Sequence, residues 1–310
     1  MTRMQHSLIT LNNQHAIPNI GLGTWRLKKE KAYEVIKYAL VDVGYRHIDC
    51  ASIYGNEPAI GDAFHRVFTS GKAKREDVFV TSKLWNTEHH PQNVEKACKQ
   101  TLKDLQLDYL DLFLMHWGIA FLPGEILGQI DEQGLVKTEP VPVQETWQAM
   151  EQLVEKGLVK CIGVSNFTVT MLIDLLSYAR IKPAVNQVEI HPYNTQTELV
   201  EFCHKKAIQV TAYSPLGSSE RTNAPKPLHD KLVLKIAHTH GKTAGQILLR
   251  WALERGLVVI PKSMNLERIR ENSEVFSFEL SSDEMKSINS LNKNHRFIDP
   301  IAWWGVPYFK

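Results

Sequence analysis

Cysteine is scarce in this sequence. The 310 residues hold four, Cys50, Cys98, Cys161 and Cys203, with no Cys-x-x-Cys pair. That spacing fits a reduced protein in a cytoplasmic setting better than a disulfide scaffold. Long hydrophobic runs are also missing. No stretch approaches the roughly 20 apolar residues of a membrane-spanning helix, so no membrane partner is expected. Residues 1–13 lack the apolar core of a secretory signal. Charge of one sign is missing too. A formal net charge of +2 leaves no basic stripe, which argues against a nucleic-acid partner. The one small basic cluster, Lys72, Lys74 and Arg75, reads as a solvated loop. The nearest approaches to a histidine metal motif, His89-His90 and His238-Thr239-His240, have no plausible carboxylate or cysteine companion nearby. No metal is expected, and these histidines read as solvated or capping. Repeats, low-complexity tracts and interdomain linkers are absent.

What is present is a core-forming composition, 43% hydrophobic and 23% charged. Short β-branched runs alternate with longer amphipathic ones. Strands are expected at 20–24, 47–51, 78–84, 110–116, 161–165, 184–190, 209–213 and 258–262. Helices at 29–43, 57–68, 92–105, 144–156, 169–179, 197–206 and 244–254 fill the gaps, and 266–274 follows the eighth strand. In 92–105 the apolar residues Val94, Ala97, Cys98, Leu102 and Leu105 recur at helical spacing. The run Asp111-Leu112-Phe113-Leu114-Met115 is nearly all apolar, as a strand buried on both faces must be. Residues 7–10 and 16–18 flank Asn12-Asn13 and read as a hairpin ahead of the main fold. A last helix at 282–291 and an aromatic tail close the chain. Eight β/α units predict an α/β fold of the (β/α)8 TIM-barrel kind, one domain spanning 1–310, with long loops at 117–143 and from 214 to about 228. A doubly wound sheet is the alternative. Against it, Gly21-Leu22-Gly23-Thr24-Trp25 breaks the Gly-x-Gly-x-x-Gly fingerprint after the first strand.

Asp49, Lys83 and His116 each fall near the expected carboxyl end of a strand, and Tyr54 follows in a loop. Active sites of barrels sit at that face. A phenol with an ordinary pKa near ~10 is a poor acid at neutral pH, and a neighbouring ammonium stabilises its phenolate. Lys83 supplies such an ammonium, Asp49 a counter-charge to hold it, and His116 a neutral N–H for a substrate oxygen. Together they make a proton-transfer site for a carbonyl. Taken one at a time, the Asp reads as a cap, the Lys as solvated and the His as packed against Trp117.

These residues carry a resemblance to the aldo-keto reductases. The segment Gly44–Glu57, the run through Gly163-Val164-Ser165-Asn166-Phe167, and Ile260-Pro261-Lys262-Ser263 with Arg268, Glu271 and Asn272 are similar, in order, to three signatures of that family. The resemblance implies reduction of aldehydes and ketones, possibly aldoses, with NADPH, NADH serving less well. It implies Tyr54 as general acid, tuned by Lys83 and Asp49, with His116 orienting the carbonyl. Ser165, Asn166 and Gln187 are implied to bond the nicotinamide carboxamide and Tyr213 to stack on its ring. Without the family, Ser165-Asn166 reads as a helix N-cap. Lys262, Ser263 and Arg268 resemble the 2′-phosphate site, Glu271 and Asn272 the adenine contacts. Ser214 to Arg221 resembles the loop over the pyrophosphate, with Glu220 placed to bridge to Lys262.

The mouth is expected to be aromatic, built from Trp25, Trp85, Trp117, Trp303 and Trp304. Ile298 stands where xylose reductases of the family present Asn, which counts against xylose. Gly118 follows Trp117 where many relatives have Pro, so that loop is expected to be set differently. Monomers and homodimers are both common among such proteins. Two other readings stay open: a non-catalytic relative, of the channel-subunit or lens-crystallin kind, and a sugar-phosphate isomerase barrel, which would not need Tyr54.

Overall fold

The computed structural model describes residues 7–217 and 226–310. A two-stranded antiparallel hairpin, β1 (Leu8–Thr10) and β2 (Ala16–Pro18), comes first. Eight parallel strands follow: β3 (Leu22–Gly23), β4 (His47–Asp49), β5 (Phe79–Leu84), β6 (Leu110–Met115), β7 (Val159–Ser165), β8 (Val185–Glu189), β9 (Gln209–Tyr213) and β10 (Val258–Val259). They pair in sequence order, β3 to β10. A parallel bridge from Ile20 to Val259 joins the two ends, with Gly21 N–H donating to Val259 O (2.8 Å) and Val259 N–H to Asn19 O (2.9 Å). The sheet therefore closes into the expected (β/α)8 barrel.

The outer strands β3 and β10 are shorter than expected, because pairing at this seam is sparse. Gly23 is required there: a Cβ on it would lie 2.8 Å from the carbonyl oxygen of Ile260. Leu11 and Ile17 of the hairpin pack with Phe79, Leu112 and Val258 and seal one end of the barrel.

Helices α1 (Ala32–Lys37), α2 (Glu57–Thr69), α3 (Pro91–Leu105), α4 (Val143–Glu155), α5 (Val169–Tyr178) and α6 (Thr197–Lys205) alternate with the strands. α7 (Lys231–His240), α8 (Ala244–Glu254), α9 (Leu266–Ser273), α10 (Ser282–Asn289) and α11 (Ile301–Trp304) complete the chain. Most bounds lie within one or two residues of those expected. The helix expected over 29–43 is instead a 3-10 turn (Lys29–Lys31), α1, and a wider π turn (Tyr38–Val43) ended by Gly44 at φ 101°.

α7 was not expected. Asp230 caps it by accepting from Leu232 N–H (2.9 Å), Val233, Ile236 and Ala237 bury its inner face, and Gly241 ends it in the left-handed region. Arg75 is also not solvated: it reaches Asp111 Oδ2 (2.8 Å) and stacks over Tyr109. Among the described residues, no helix is long and apolar enough to cross a membrane, and no cluster of metal-ligating residues forms. His90 caps α3, as expected, but His89 is buried, and His240 pairs with Glu284 (2.9 Å), a carboxylate brought in by α10.

Candidate active site

The strand ends place the chemistry. Asp49 is the last residue of β4, Lys83 lies one short of the end of β5, and His116 follows β6. Ser165 ends β7, Gln187 lies in β8 and Tyr213 ends β9. All therefore gather at one mouth.

Lys83 is fully buried, and its Nζ donates to Asp49 Oδ1 (2.6 Å), Cys50 O (2.8 Å) and the Tyr54 hydroxyl oxygen (3.3 Å). Gln187 Nε2 donates to the other oxygen of Asp49 (2.7 Å). A buried ion is tolerated only when paired and hydrogen-bonded, and here both members are. Burial opposes the Lys83 charge, yet Asp49 and Tyr54 hold the ammonium above the ordinary lysine value. Because Tyr54 accepts from Lys83, its own hydrogen is left for another acceptor.

Lys83 stabilises the Tyr54 phenolate as expected, but burial outweighs it. Burial pushes the phenol up, the charge and hydrogen bond of Lys83 pull it only part of the way back, and it is left at about 12. Tyr54 is thus a proton holder throughout the neutral range, and Lys83 limits how strongly it holds. His116 is kept well below the ordinary histidine value, first by burial and then by the charges of Lys83 and His89. It is neutral at pH 7. Its ring meets Trp85 edge-on (5.2 Å between centroids) and Tyr54 likewise (6.1 Å), and its Nδ1 is enclosed with no partner among the described residues.

Next to this centre lies a cavity of about 780 Å³. Asp49, Tyr54, His116, Ser165, Asn166, Gln187, Tyr213, Ser214 and Lys262 line it, and so do Trp25, Trp85, Trp117, Ile298, Trp303 and Trp304. Both Trp303 and Trp304 face it, with Trp304 buried and Trp303 at the rim. Trp304 packs edge-on against Trp117 (5.1 Å) and Phe121 (4.8 Å). Gly118 N–H donates to the Tyr308 hydroxyl (2.8 Å), a bond that proline at 118 would abolish, and a Cβ there would lie 2.3 Å from Met171. Gly118 thus ties this loop to the carboxyl-terminal tail. Sequence reasoning missed Ile53, Leu127, Ile130 and Ile260, which also line the cavity. Leu127 and Ile130 lie in the long 117–143 loop, but no periodicity marks which of its residues turn inward.

The residues expected to hold a nicotinamide are brought together and bonded to one another. Tyr213 OH donates to Asn166 Oδ1 (2.7 Å), Asn166 Nδ2 to His116 O (3.0 Å) and Ser165 Oγ to Gln187 O (2.8 Å). Asn166 sits at φ 64°, and α5 is capped by Thr168 instead. The capping reading of Ser165-Asn166 is therefore set aside. With Gln187 Nε2 committed to Asp49, its Oε1 is the atom left to accept from an amide. The set fits a carboxamide, provided Ser165 or Asn166 exchanges its present acceptor for the amide oxygen.

Ser263, Arg268, Glu271 and Asn272 lie beyond the cavity, on or just before α9. Lys262 is held below the ordinary lysine value by burial and by the charge of Arg26. Two cations pressed together favour a bound anion. Exposed Arg268 makes no ion pair among the described residues. These observations fit a phosphate. Glu271 accepts from Thr243 Oγ1 (2.7 Å), and Asn272 is buried beside it. Glu220 and Arg221, and with them the expected bridge to Lys262, lie outside the described residues.

Comparison with known proteins agrees with this geometry. The model of the aldo/keto reductase family matches residues 19–293. Aldo-keto reductase family 1 member A1 from Mus musculus is 50% identical over 303 residues, 96% of this chain and 93% of the relative. The Homo sapiens protein of that name is 49% identical over the same shares. The solved structure of the aldose reductase from Schistosoma japonicum superposes with a TM-score of 0.90 at 44% identity, covering 98% of this chain and 99% of that one. The chain belongs to the aldo/keto reductase family and is an oxidoreductase acting on carbonyl groups.

Proposed function

We propose that the protein reduces aldehydes and ketones to alcohols with NADPH, using Tyr54 as proton donor. The observation that carries this reading is Lys83, which donates to the Tyr54 oxygen while paired to Asp49, under a cavity walled by aromatic side chains. Bound along Ser165, Asn166, Gln187 and Tyr213, NADPH would supply a hydride to the carbonyl carbon. The side chains do the rest. His116 offers a neutral N–H to the carbonyl oxygen and orients it. Tyr54 gives that oxygen its proton as charge develops, and Lys83 stabilises the phenolate left behind. The apolar wall excludes water and strengthens both interactions. The test is consumption of NADPH with a panel of aldehydes, ketones and aldoses, with NADH run in parallel. No turnover on any carbonyl would favour a non-catalytic relative. Four free, buried cysteines support the cytoplasmic setting, and +2 net charge with a pocket suited to small molecules supports a small carbonyl partner over nucleic acid.

Cofactor choice is assigned to Lys262, Ser263 and Arg268, with Glu271 and Asn272 on the adenine. A 2′-phosphate gives Arg268 a charge-assisted partner that NADH lacks. Arg268→Ala is expected to weaken NADPH by about 1.5–3 kcal/mol, the range for hydrogen bonds to charged groups, and NADH much less. Cofactor titration by tryptophan fluorescence measures both. Equal losses would remove Arg268 from the phosphate site.

Substrate choice follows from the wall. Trp25, Leu127, Ile130 and Trp303 stay partly exposed at the mouth, and all line the cavity. Hydroxyls of a sugar would be left unpaired on that surface. A benzaldehyde is therefore expected to show a higher kcat/KM than xylose, with rates corrected to free aldehyde, and Ile298→Asn is expected to gain toward xylose. A corrected preference for xylose in the unaltered protein would overturn the reading of the wall.

A further inference from the structure

Ile298 reaches the cavity from a tail more than a hundred residues beyond the strand that receives it. The tail settles on the loop after β8. Lys293 N–H and His295 N–H both donate to Tyr193 O (3.0 and 2.9 Å), and Arg296 Nη2 donates to Gln196 Oε1 (3.0 Å). At the centre of this bed is Glu189, the last residue of β8, with no exposed surface. Its Oε1 accepts from Phe297 N–H (2.7 Å) and from His191 Nε2 (2.8 Å), and its Oε2 from Ile298 N–H (2.9 Å). Asn194 Nδ2 and Gln196 Nε2 hold its backbone oxygen, each at 2.9 Å.

A buried carboxylate is costly unless satisfied, and this one is satisfied mainly by the tail. Two consecutive backbone amides converge on it, so their spacing fixes the direction in which the Ile298 side chain leaves the backbone. Phe297, which the same carboxylate holds, is buried and faces Gly217: a Cβ on that glycine would lie 3.1 Å from the Phe297 ring. Gly217 lines the cavity from the side of Ser214.

We propose that Glu189 is the positioning residue of the substrate wall: by accepting the amide hydrogens of Phe297 and Ile298 it fixes Ile298 against the cavity, and so sets the preference for apolar carbonyl substrates. This rests on the carbonyl reductase reading above. Glu189 itself touches neither substrate nor reacting atoms. Its effect passes through the tail.

The isosteric Glu189→Gln variant keeps the volume but presents an N–H to one of the two backbone donors. It is expected to raise KM for 4-nitrobenzaldehyde about tenfold, the loss of one charge-assisted hydrogen bond, with kcat little changed. Propanal, too small to use the wall, is expected to keep its KM. In an Ile298→Ala background the same substitution is expected to have little further effect on 4-nitrobenzaldehyde, because its target is gone. Equal losses on both aldehydes, or an undiminished effect in the Ile298→Ala background, would overturn the proposal. A readout independent of turnover separates this from failure of the carbonyl reductase reading. Hydrogen exchange of the 295–304 peptide, without substrate, is expected to speed up about tenfold in Glu189→Gln while peptides of β5 and β6 keep their protection. Unchanged exchange in the tail, or acceleration throughout the barrel, would likewise overturn it.

Discussion

Replacing Tyr54 with phenylalanine is expected to lower kcat for aldehyde reduction by at least about 100-fold, the scale of general acid catalysis, while NADPH affinity changes little. The substitution is clean on structural grounds. The ring that meets His116 edge-on stays. Lys83 loses one acceptor but keeps Asp49 Oδ1 and Cys50 O, so no buried charge is stranded. The residues assigned to the carboxamide do not bond to Tyr54, and their mutual hydrogen bonds remain. What disappears is the hydroxyl that the buried Lys83 ammonium polarises. Single-turnover measurement with preformed NADPH complex isolates the chemical step from product release, which otherwise masks the loss. Near-normal single-turnover rates in Tyr54→Phe would transfer the acid role elsewhere, with His116 the next candidate by position.

Much of this site was legible in the sequence, and the reason is geometric. Parallel strands buried on both faces read as apolar runs, and a polar residue at the end of such a run has one plausible destination, the mouth of the barrel. Asp49, Lys83 and His116 were found that way, whereas Ser165 and Tyr213 came only from the resemblance to the aldo-keto reductases. What was not legible depends on partners distant in sequence. Arg75 looked like part of a solvated cluster because Tyr109 and Asp111, which hold it, lie more than thirty residues away. His240 lacked a carboxylate until α10 delivered Glu284. Glu189 drew no reading of its own within the strand expected over 184–190, because the amides that make it a clamp arrive from 108 and 109 residues downstream. The net rise of the Tyr54 pKa was not legible for a related reason. The sequence shows that a lysine is available, but not how completely the phenol is enclosed, and enclosure outweighs the lysine. α7 was a different kind of failure. Its cap at Asp230, its apolar spacing and Gly241 were all in the sequence, in a stretch beyond the expected loop to which no element was assigned.

Lys83→Met is expected to remove at least about 100-fold of turnover in both directions, and the pH dependence carries the diagnosis. In the unaltered protein burial raises the Tyr54 pKa and Lys83 lowers it through its charge and its hydrogen bond, leaving it at about 12. Without the ammonium, burial acts unopposed and the charge of Asp49 adds to it, so the phenol moves further up. Reduction suffers because proton donation leaves an unstabilised phenolate. Alcohol oxidation suffers more visibly, because it needs the phenolate to begin with. Its rate rises with pH as Tyr54 ionises, and that rise is expected to shift to higher pH in Lys83→Met. The substitution also leaves Asp49 buried with, among the described residues, only Gln187 Nε2 to satisfy it. Breaking a buried pair in this way costs about 3–5 kcal/mol, enough to confuse lost chemistry with lost fold. The double variant Asp49→Asn, Lys83→Met removes both charges and is expected to regain most of that stability, read as melting temperature, without regaining turnover. A pH–rate profile for Lys83→Met superimposable on that of the unaltered protein would refute the tuning role of the lysine. Recovery of turnover in the double variant would show that Lys83 serves the fold alone.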